Sequence, residues 1–180
     1  MFARTHRLTL RPYWPEDAAQ LTAAIAHEEV AIRLARLPWP YGAEDAAVFV
    51  SARRAIDTPV FAVLSHESDY PRIVGGIGFH RDGDDYMLGY WLTPSVWGRG
   101  YATEAAAAVI AVAQHALGLK RVHAAHFTDN PASGRVLRKL GFREVERRFR
   151  PGLVRNEDVA AVEMVLDLDE PVRMPLAAAA

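Results

Sequence analysis

Two glycines one residue apart stand directly before an alanine-rich run, in Trp97-Gly98-Arg99-Gly100-Tyr101-Ala102-Thr103-Glu104-Ala105. Glycine costs about 0.5–1 kcal/mol relative to alanine inside a helix, so its placement beside strong helix formers marks a special backbone task. A loop that leaves a strand and turns into a helix points several N–H groups into one concavity, and glycine removes the Cβ that would keep a ligand away. The first helical turn adds unpaired donors and the positive end of the dipole. Such a cradle suits a phosphate or pyrophosphate, although a tight strand-to-helix turn without a ligand satisfies the same pattern. A P-loop is excluded, because Tyr101-Ala102 follows Gly100 where Lys-Ser/Thr is required. A dinucleotide fingerprint is also excluded: Thr103 stands where a third small residue belongs, and the preceding segments read as a meander and not as a βαβ unit.

The rest of the chain narrows the class of protein. With 180 residues, 51% hydrophobic and 24% charged, it can bury a sizeable core as one domain over residues 1–168, followed by a tail at 169–180. A net charge of -1 argues against general nucleic-acid binding. The absence of cysteine removes disulfides, thiolate metal sites and a cysteine nucleophile together. Arg4, His6, Arg7 and Arg11 break up any apolar leader, and no apolar run approaches the roughly 20 residues of a membrane span. The expectation is a soluble, cytoplasmic protein, with homodimerisation left open. His123 and His126 lie three apart on a strand and so face opposite ways; with no other ligand cluster, no metal site is expected.

Periodicity predicts a first strand at 7–11, a helix opened by Pro15-Glu16-Asp17, a second helix over 28–37 and a third over 43–55. Strands follow at 60–64, 72–79 and 86–92, with connections so short that they must form an antiparallel meander. The alanine-rich helix runs from the glycine pair to Ala116, with Gly118 as its stop. A strand at 121–127, a helix capped by Asn130 with Pro131 at its first position, and a hairpin of 142–149 and 160–168 complete the chain. The fold class is mixed α/β (α+β).

Two segments together resemble a known family. Gly89-Tyr90-Trp91-Leu92-x-Pro94 leading into Trp97–Ala105 is similar to motif A of the GCN5-related N-acetyltransferases (GNAT). Asp129-Asn130-Pro131-x-Ser133 followed by Lys139-Leu140-Gly141-Phe142 is similar to their next motif, most nearly in the RimJ/RimL-like branch. The resemblance spans about residues 5–168, with one departure: Ser95 stands where the family pattern has a long polar side chain. It implies a mostly antiparallel central sheet flanked by helices, with splayed central strands. It also implies an acetyl-CoA-dependent N-acetyltransferase acting on a primary amine, either a protein N-terminus or a small molecule. The alternative is a non-catalytic acyl-CoA-binding module of the same fold.

The resemblance further implies roles for residues. Acetyl-CoA would place its pyrophosphate on the amides of Gly98, Arg99, Gly100, Tyr101 and Ala102, aided by the Thr103 hydroxyl, and the Arg99 side chain either reaches a CoA phosphate or is merely solvated. A bulge in strand 86–92 would aim a backbone N–H near Trp91 or Leu92 at the thioester oxygen. Leu137 stands where many relatives carry a proton-donating tyrosine, so Ser133, one turn earlier, becomes the donor to the CoA sulfur unless it only bonds its own backbone. Asn130 bonds the pantetheine arm, caps its helix, or does both. Met87 replaces a common basic glutamate, which leaves His80, Asp84, Asp85, Glu28, Glu29 or solvent to take the amine proton. His80 is the first candidate, since its ordinary pKa lies near neutrality.

Overall fold

The computed structural model describes residues 1–67 and 70–168; the expected tail at 169–180 lies outside the described residues. Eight strands form one sheet in the order β1-β2-β3-β4-β5-β6-β8-β7. They are β1 (Ala3–Arg4), β2 (Leu8–Arg11), β3 (Val60–Ser65), β4 (Arg72–Asp82), β5 (Asp85–Leu92), β6 (Arg121–Phe127), β7 (Arg143–Gly152) and β8 (Glu157–Asp167). Every neighbouring pair is antiparallel except β5 and β6, which run parallel. The meander expected from the short connections is therefore β3-β4-β5.

Helices cover both faces. On one face α4 (Tyr101–His115) and α5 (Pro131–Lys139) lie over a core containing Leu8, Phe61, Ile77, Phe79, Leu88, Val122 and Met164. α4 contributes Ala105, Ala106, Val109, Ile110 and Ala113 to that core, all about 1% exposed or less, so its alanines serve close helix–sheet approach. On the other face α1 (Ala18–Ile25), the short α2 (Glu28–Ala31) and α3 (Ala43–Ser51) pack around Leu21, Ile25, Val30 and Val50. α1 follows a 3-10 turn at Pro15–Asp17, pinned by a bidentate pair of Arg11 with Asp17 at 2.6 and 2.8 Å.

Two expected helices are shorter than their periodicity suggests. α2 ends at Ala31 and not at Leu37: Arg155 Nε donates at 3.0 Å to Ile32 O, which a longer helix would give to the Arg36 amide, and Leu153 N–H ties the following turn through Ala35 O at 3.3 Å. Pro38 also disfavours a helical Leu37. α3 ends at Ser51 and not at Ala55: Phe49 O accepts from the Ala52 N–H at 3.4 Å and from the Arg54 guanidinium at 2.8 Å, and not from the Arg53 amide that a continuing helix would offer. β1, with two residues, is too short to show a period. The last hairpin extends three residues beyond Phe149 on β7, and β8 begins three residues before Ala160.

Candidate active site

β5 and β6 are eight and seven residues long but share only two registered pairs, Met87 with His123 and Leu88 with Ala124. Beyond Leu88 the strands part, because each feeds a helix on the same face, β5 into α4 and β6 into α5. From Gly89 to Leu92 the backbone thus has no β6 partner, and alternate N–H groups along that edge turn toward the gap. The expected bulge in this strand is absent: β5 stays in unbroken register with β4 from Asp85 through Leu92. The irregularity lies one strand over, where Val63 pairs Gly75 and Leu64 pairs Ile73, leaving Val74 as the extra residue of β4. Splay and not a β5 bulge leaves alternate N–H groups at this end of β5 without a strand partner, while Leu92 O accepts from the Trp97 indole N–H at 2.8 Å.

The glycine pair lies at the end of this gap. Gly98 and Gly100 have φ of 78° and 79°, the left-handed region that a side chain disfavours, and Gly100 is the N-cap of α4. Among the described residues, the amides of Gly98, Gly100, Tyr101, Ala102 and Thr103 have no backbone acceptor, whereas Arg99 N–H reaches Val96 O at 3.4 Å and Glu104 N–H reaches Gly100 O at 3.1 Å. A Cβ built on Gly98 meets nothing within 4 Å, so that side of the loop is open. Unpaired donors at a helix start are the arrangement of an anion cradle, the role expected of this loop.

The cradle is braced from behind. Tyr101 is fully buried; its hydroxyl lies 3.0 Å from Ser65 Oγ and donates to the Glu67 carboxylate. Arg7 donates to Arg99 O at 2.9 Å, pairs with Glu104 at 2.7 Å and lies 4.8 Å over the Tyr101 ring. Burial pushes the Glu104 carboxyl up, but bonds from Thr5 and from the Arg7 backbone and side chain outweigh it and hold the group below its ordinary range. An ionised Glu104 in the first turn suits the helix dipole. The Arg99 side chain pairs with Glu67 at 2.7 Å and is half exposed. Its cation is therefore already matched by a carboxylate.

At the other side of the gap, Asn130 caps α5 by accepting from Ser133 N–H at 3.3 Å. Ser133 Oγ does not bond its own backbone; it lies 2.7 Å from the Tyr90 hydroxyl. Tyr90 is the side chain beside Ser133 that sequence reasoning missed. It alternates with Leu88 and Leu92 on the helix-covered side of β5, and its partner lies 43 residues away, so no local pattern marks the pair. Burial raises Tyr90 to about 12 against the lowering effect of the Ser133 bond. Leu137 is wholly buried in the core and offers no proton. His126 lies under α5, with Nδ1 2.8 Å from Phe127 O; its Nε2 is buried without a hydrogen-bond partner, and a Cβ on Gly134 would come within 2.6 Å of it. His123 instead pairs with Asp85 at 3.3 Å.

The opposite face of β5 carries Met87, Gly89 and Trp91, in register with His80, Gly78 and Gly76 of β4. The His80 ring lies 3.8 Å from where a Gly89 Cβ would be, so it covers that glycine. Desolvation, then the charges of Arg36 and Arg150, hold His80 below its ordinary pKa against the opposing pull of Asp82. Beside it runs an ion network that local sequence does not reveal. Glu163 of β8, 7% exposed, receives Arg148 at 2.9 Å and also Arg150, and both arginines reach Asp82 at 3.2 and 2.9 Å. Burial raises Glu163, but the two arginines outweigh it, so this carboxylate stays ionised and is a poor base. Of the remaining candidates, Asp84 is exposed on the β4–β5 turn and Asp85 is held by His123. Glu28 and Glu29 line a groove of about 530 Å³ with Ala26, His27 and Ile32. Arg33, which donates to Glu29 O, lies 4.9 Å from the Trp97 ring at the start of the glycine loop. Among the described residues no three His, Asp or Glu side chains converge as a metal-ligand set.

Comparison with known proteins gives this arrangement a context. The model of the Acetyltransferase (GNAT) domain family matches residues 7–143. The uncharacterized N-acetyltransferase YoaA of Bacillus subtilis (strain 168) is 33% identical over 153 residues, which span 78% of this chain and 81% of that one. A GNAT-family acetyltransferase from Bacillus anthracis superposes with a TM-score of 0.81 at 24% identity, over 94% of this chain and 100% of that one. Mycobacterium smegmatis RimJ, solved in complex with CoA-disulfide, superposes at 0.76 and 21% identity, over 89% of this chain and 81% of that one.

Proposed function

The chain belongs to the GNAT acetyltransferases, and on that premise we propose that it moves an acetyl group from acetyl-CoA directly to a primary amine, either a protein N-terminal α-amino group or a small-molecule amine. The observation that carries this reading is the parting of β5 from β6 beside the unpaired amides of residues 98–103. The gap accommodates an extended thioester arm, and the amides at its end donate charge-assisted hydrogen bonds to the pyrophosphate oxygens. The complex of M. smegmatis RimJ with CoA-disulfide supports the choice of ligand.

Acetyl-CoA supplies the activated acyl group; the chain supplies orientation and polarity. Backbone N–H groups of the unpaired β5 edge near Trp91 and Leu92 stabilise the carbonyl oxygen as charge develops on it. The amine approaches from the side of Gly89, His80 and the Glu28–Glu29 groove. Its nitrogen bonds the carbonyl carbon, the C–S bond breaks with its electron pair going to sulfur, and Ser133 hydrogen-bonds that sulfur. His80, kept neutral near pH 7 by its surroundings, accepts the amine proton directly or through water. The test is thiol release from acetyl-CoA across a panel of peptides with free N-termini, polyamines and aminoglycosides. Release well above background with one class supports the proposal. Background release with every class, while acetyl-CoA still binds, overturns it.

A further inference from the structure

The hydroxyl of Tyr90 lies 2.7 Å from Ser133 Oγ and 3.3 Å from Ser133 O, across the mouth of the gap between β5 and α5. Two hydroxyl protons are shared among these three oxygens, which permits two arrangements with almost no movement of heavy atoms. In one, Ser133 donates to Tyr90, and Tyr90 donates to the Ser133 carbonyl. In the other, Tyr90 donates to Ser133 Oγ, and the Ser133 proton is free to point elsewhere. Only the second presents a donor to a ligand in the gap. An anion there, being a stronger acceptor than a phenol oxygen, would select it.

We infer that Tyr90 is the positioning residue of this site: it donates to Ser133 and so turns the serine hydroxyl onto the sulfur of the departing thiolate. The inference rests on the reading that the CoA thioester occupies the gap. Tyr90 projects from the strand, whereas position 137 on the facing helix, one turn beyond Ser133, holds the wholly buried Leu137 and offers no hydroxyl. Neither hydroxyl gives up its proton. Burial places Tyr90 at about 12, well above an ordinary thiol near 8.5, so transfer to the thiolate would run uphill. The C–S bond breaks with its electron pair on sulfur, the Tyr90–Ser133 chain stabilises that charge, and water later protonates the thiolate. The proton lost by the amine leaves separately, so atoms and charge balance without tyrosinate.

The experiment compares binding of CoA and of desulfo-CoA, which lacks the sulfur, by calorimetry at about pH 9, where much of the thiol is ionised. Four full-length proteins are used: unmodified, Tyr90→Phe, Ser133→Ala and the double variant. A hydrogen bond to a charged acceptor predicts that the unmodified protein prefers CoA by about tenfold. Each single variant should cut that preference to about twofold or less, and the double variant should match Ser133→Ala, because the residues act in series. Desulfo-CoA affinity should stay within about twofold throughout, which a variant that merely loosened the fold would not preserve. Tyr90→Phe retaining the full preference, or adding a further loss to Ser133→Ala, overturns the inference while leaving the acetyl-CoA reading intact. Failure of the unmodified protein to bind either ligand overturns both.

Discussion

Gly98→Ala and Gly118→Ala form a matched pair that separates a backbone need from a ligand need. Both glycines are exposed, have positive φ (78° and 64°), and have nothing within 4 Å of a built Cβ. Gly98 faces the gap, whereas Gly118 follows the far end of α4. Placing alanine in the left-handed region costs about 1–2 kcal/mol. Removing glycine from the unfolded chain recovers about 0.4–1 kcal/mol, for a net loss of about 1 kcal/mol. In a chain of this size that lowers Tm by roughly 2–4 °C for either variant. Only Gly98→Ala should also affect the ligand. Its methyl group enters the open side of the cradle, and losing one charge-assisted bond raises the Kd for acetyl-CoA at least about tenfold. Thermal unfolding without ligand measures the first effect and calorimetric titration the second. If Gly98→Ala binds acetyl-CoA as well as Gly118→Ala does, the cradle reading is refuted, however the two melting temperatures compare.

Three further expectations follow from the same geometry. If neutral His80 takes the amine proton, kcat/KM gains a limb that rises with pH through an apparent pKa below about 6.5, separate from the limb of the amine itself at about 8 or above, because the folded imidazole is held low and its base form exists only above that pKa; His80→Ala should abolish the lower limb, and an unchanged profile excludes His80. Asp17→Asn leaves Arg11 buried without its anion and should cost about 3–5 kcal/mol, seen as a Tm drop of more than about 6 °C. Burial raises Asp17, but bonds from Arg11 and the Trp14 N–H and the Arg11 charge leave it lowered, so its contribution is present above about pH 4 and is lost as pH falls through the folded pKa; the variant's stability should lose that acid dependence in denaturant titrations. Leu137→Ala opens a cavity under α5 and should cost about 2–5 kcal/mol by denaturant unfolding.

What could be read without coordinates was governed by short-range physics. The glycine pair before an alanine-rich helix, the short links of β3-β4-β5, and Asn130-Pro131 at the start of α5 each encode their structure within a few residues, and each agrees with the fold. α2 and α3 are shorter than their apolar periodicity suggests because Ile32 O goes to Arg155, and Phe49 O to the Ala52 amide and Arg54, where a continuing helix would pair them with the next turn. The bulge expected in β5 was displaced to Val74 of β4, a choice made by pairing with β3, which no residue of β5 records. The Arg99 guanidinium reads in sequence as a free cation beside a phosphate site, and only the return of β3 to its side supplies Glu67 as its partner.

The amino-acid sequence by itself determined the glycine-bearing turn into α4, the meander and the capped start of α5, because those features depend on local backbone freedom, capping and period; the family was legible through the resemblance of two motifs. Tertiary structure alone decided how far β5 parts from β6, which hydroxyl Ser133 meets, and which carboxylates neutralise the arginines beside His80. Those contacts join residues tens of positions apart, and they are set by strand order and by the sharing of buried donors and acceptors across the sheet.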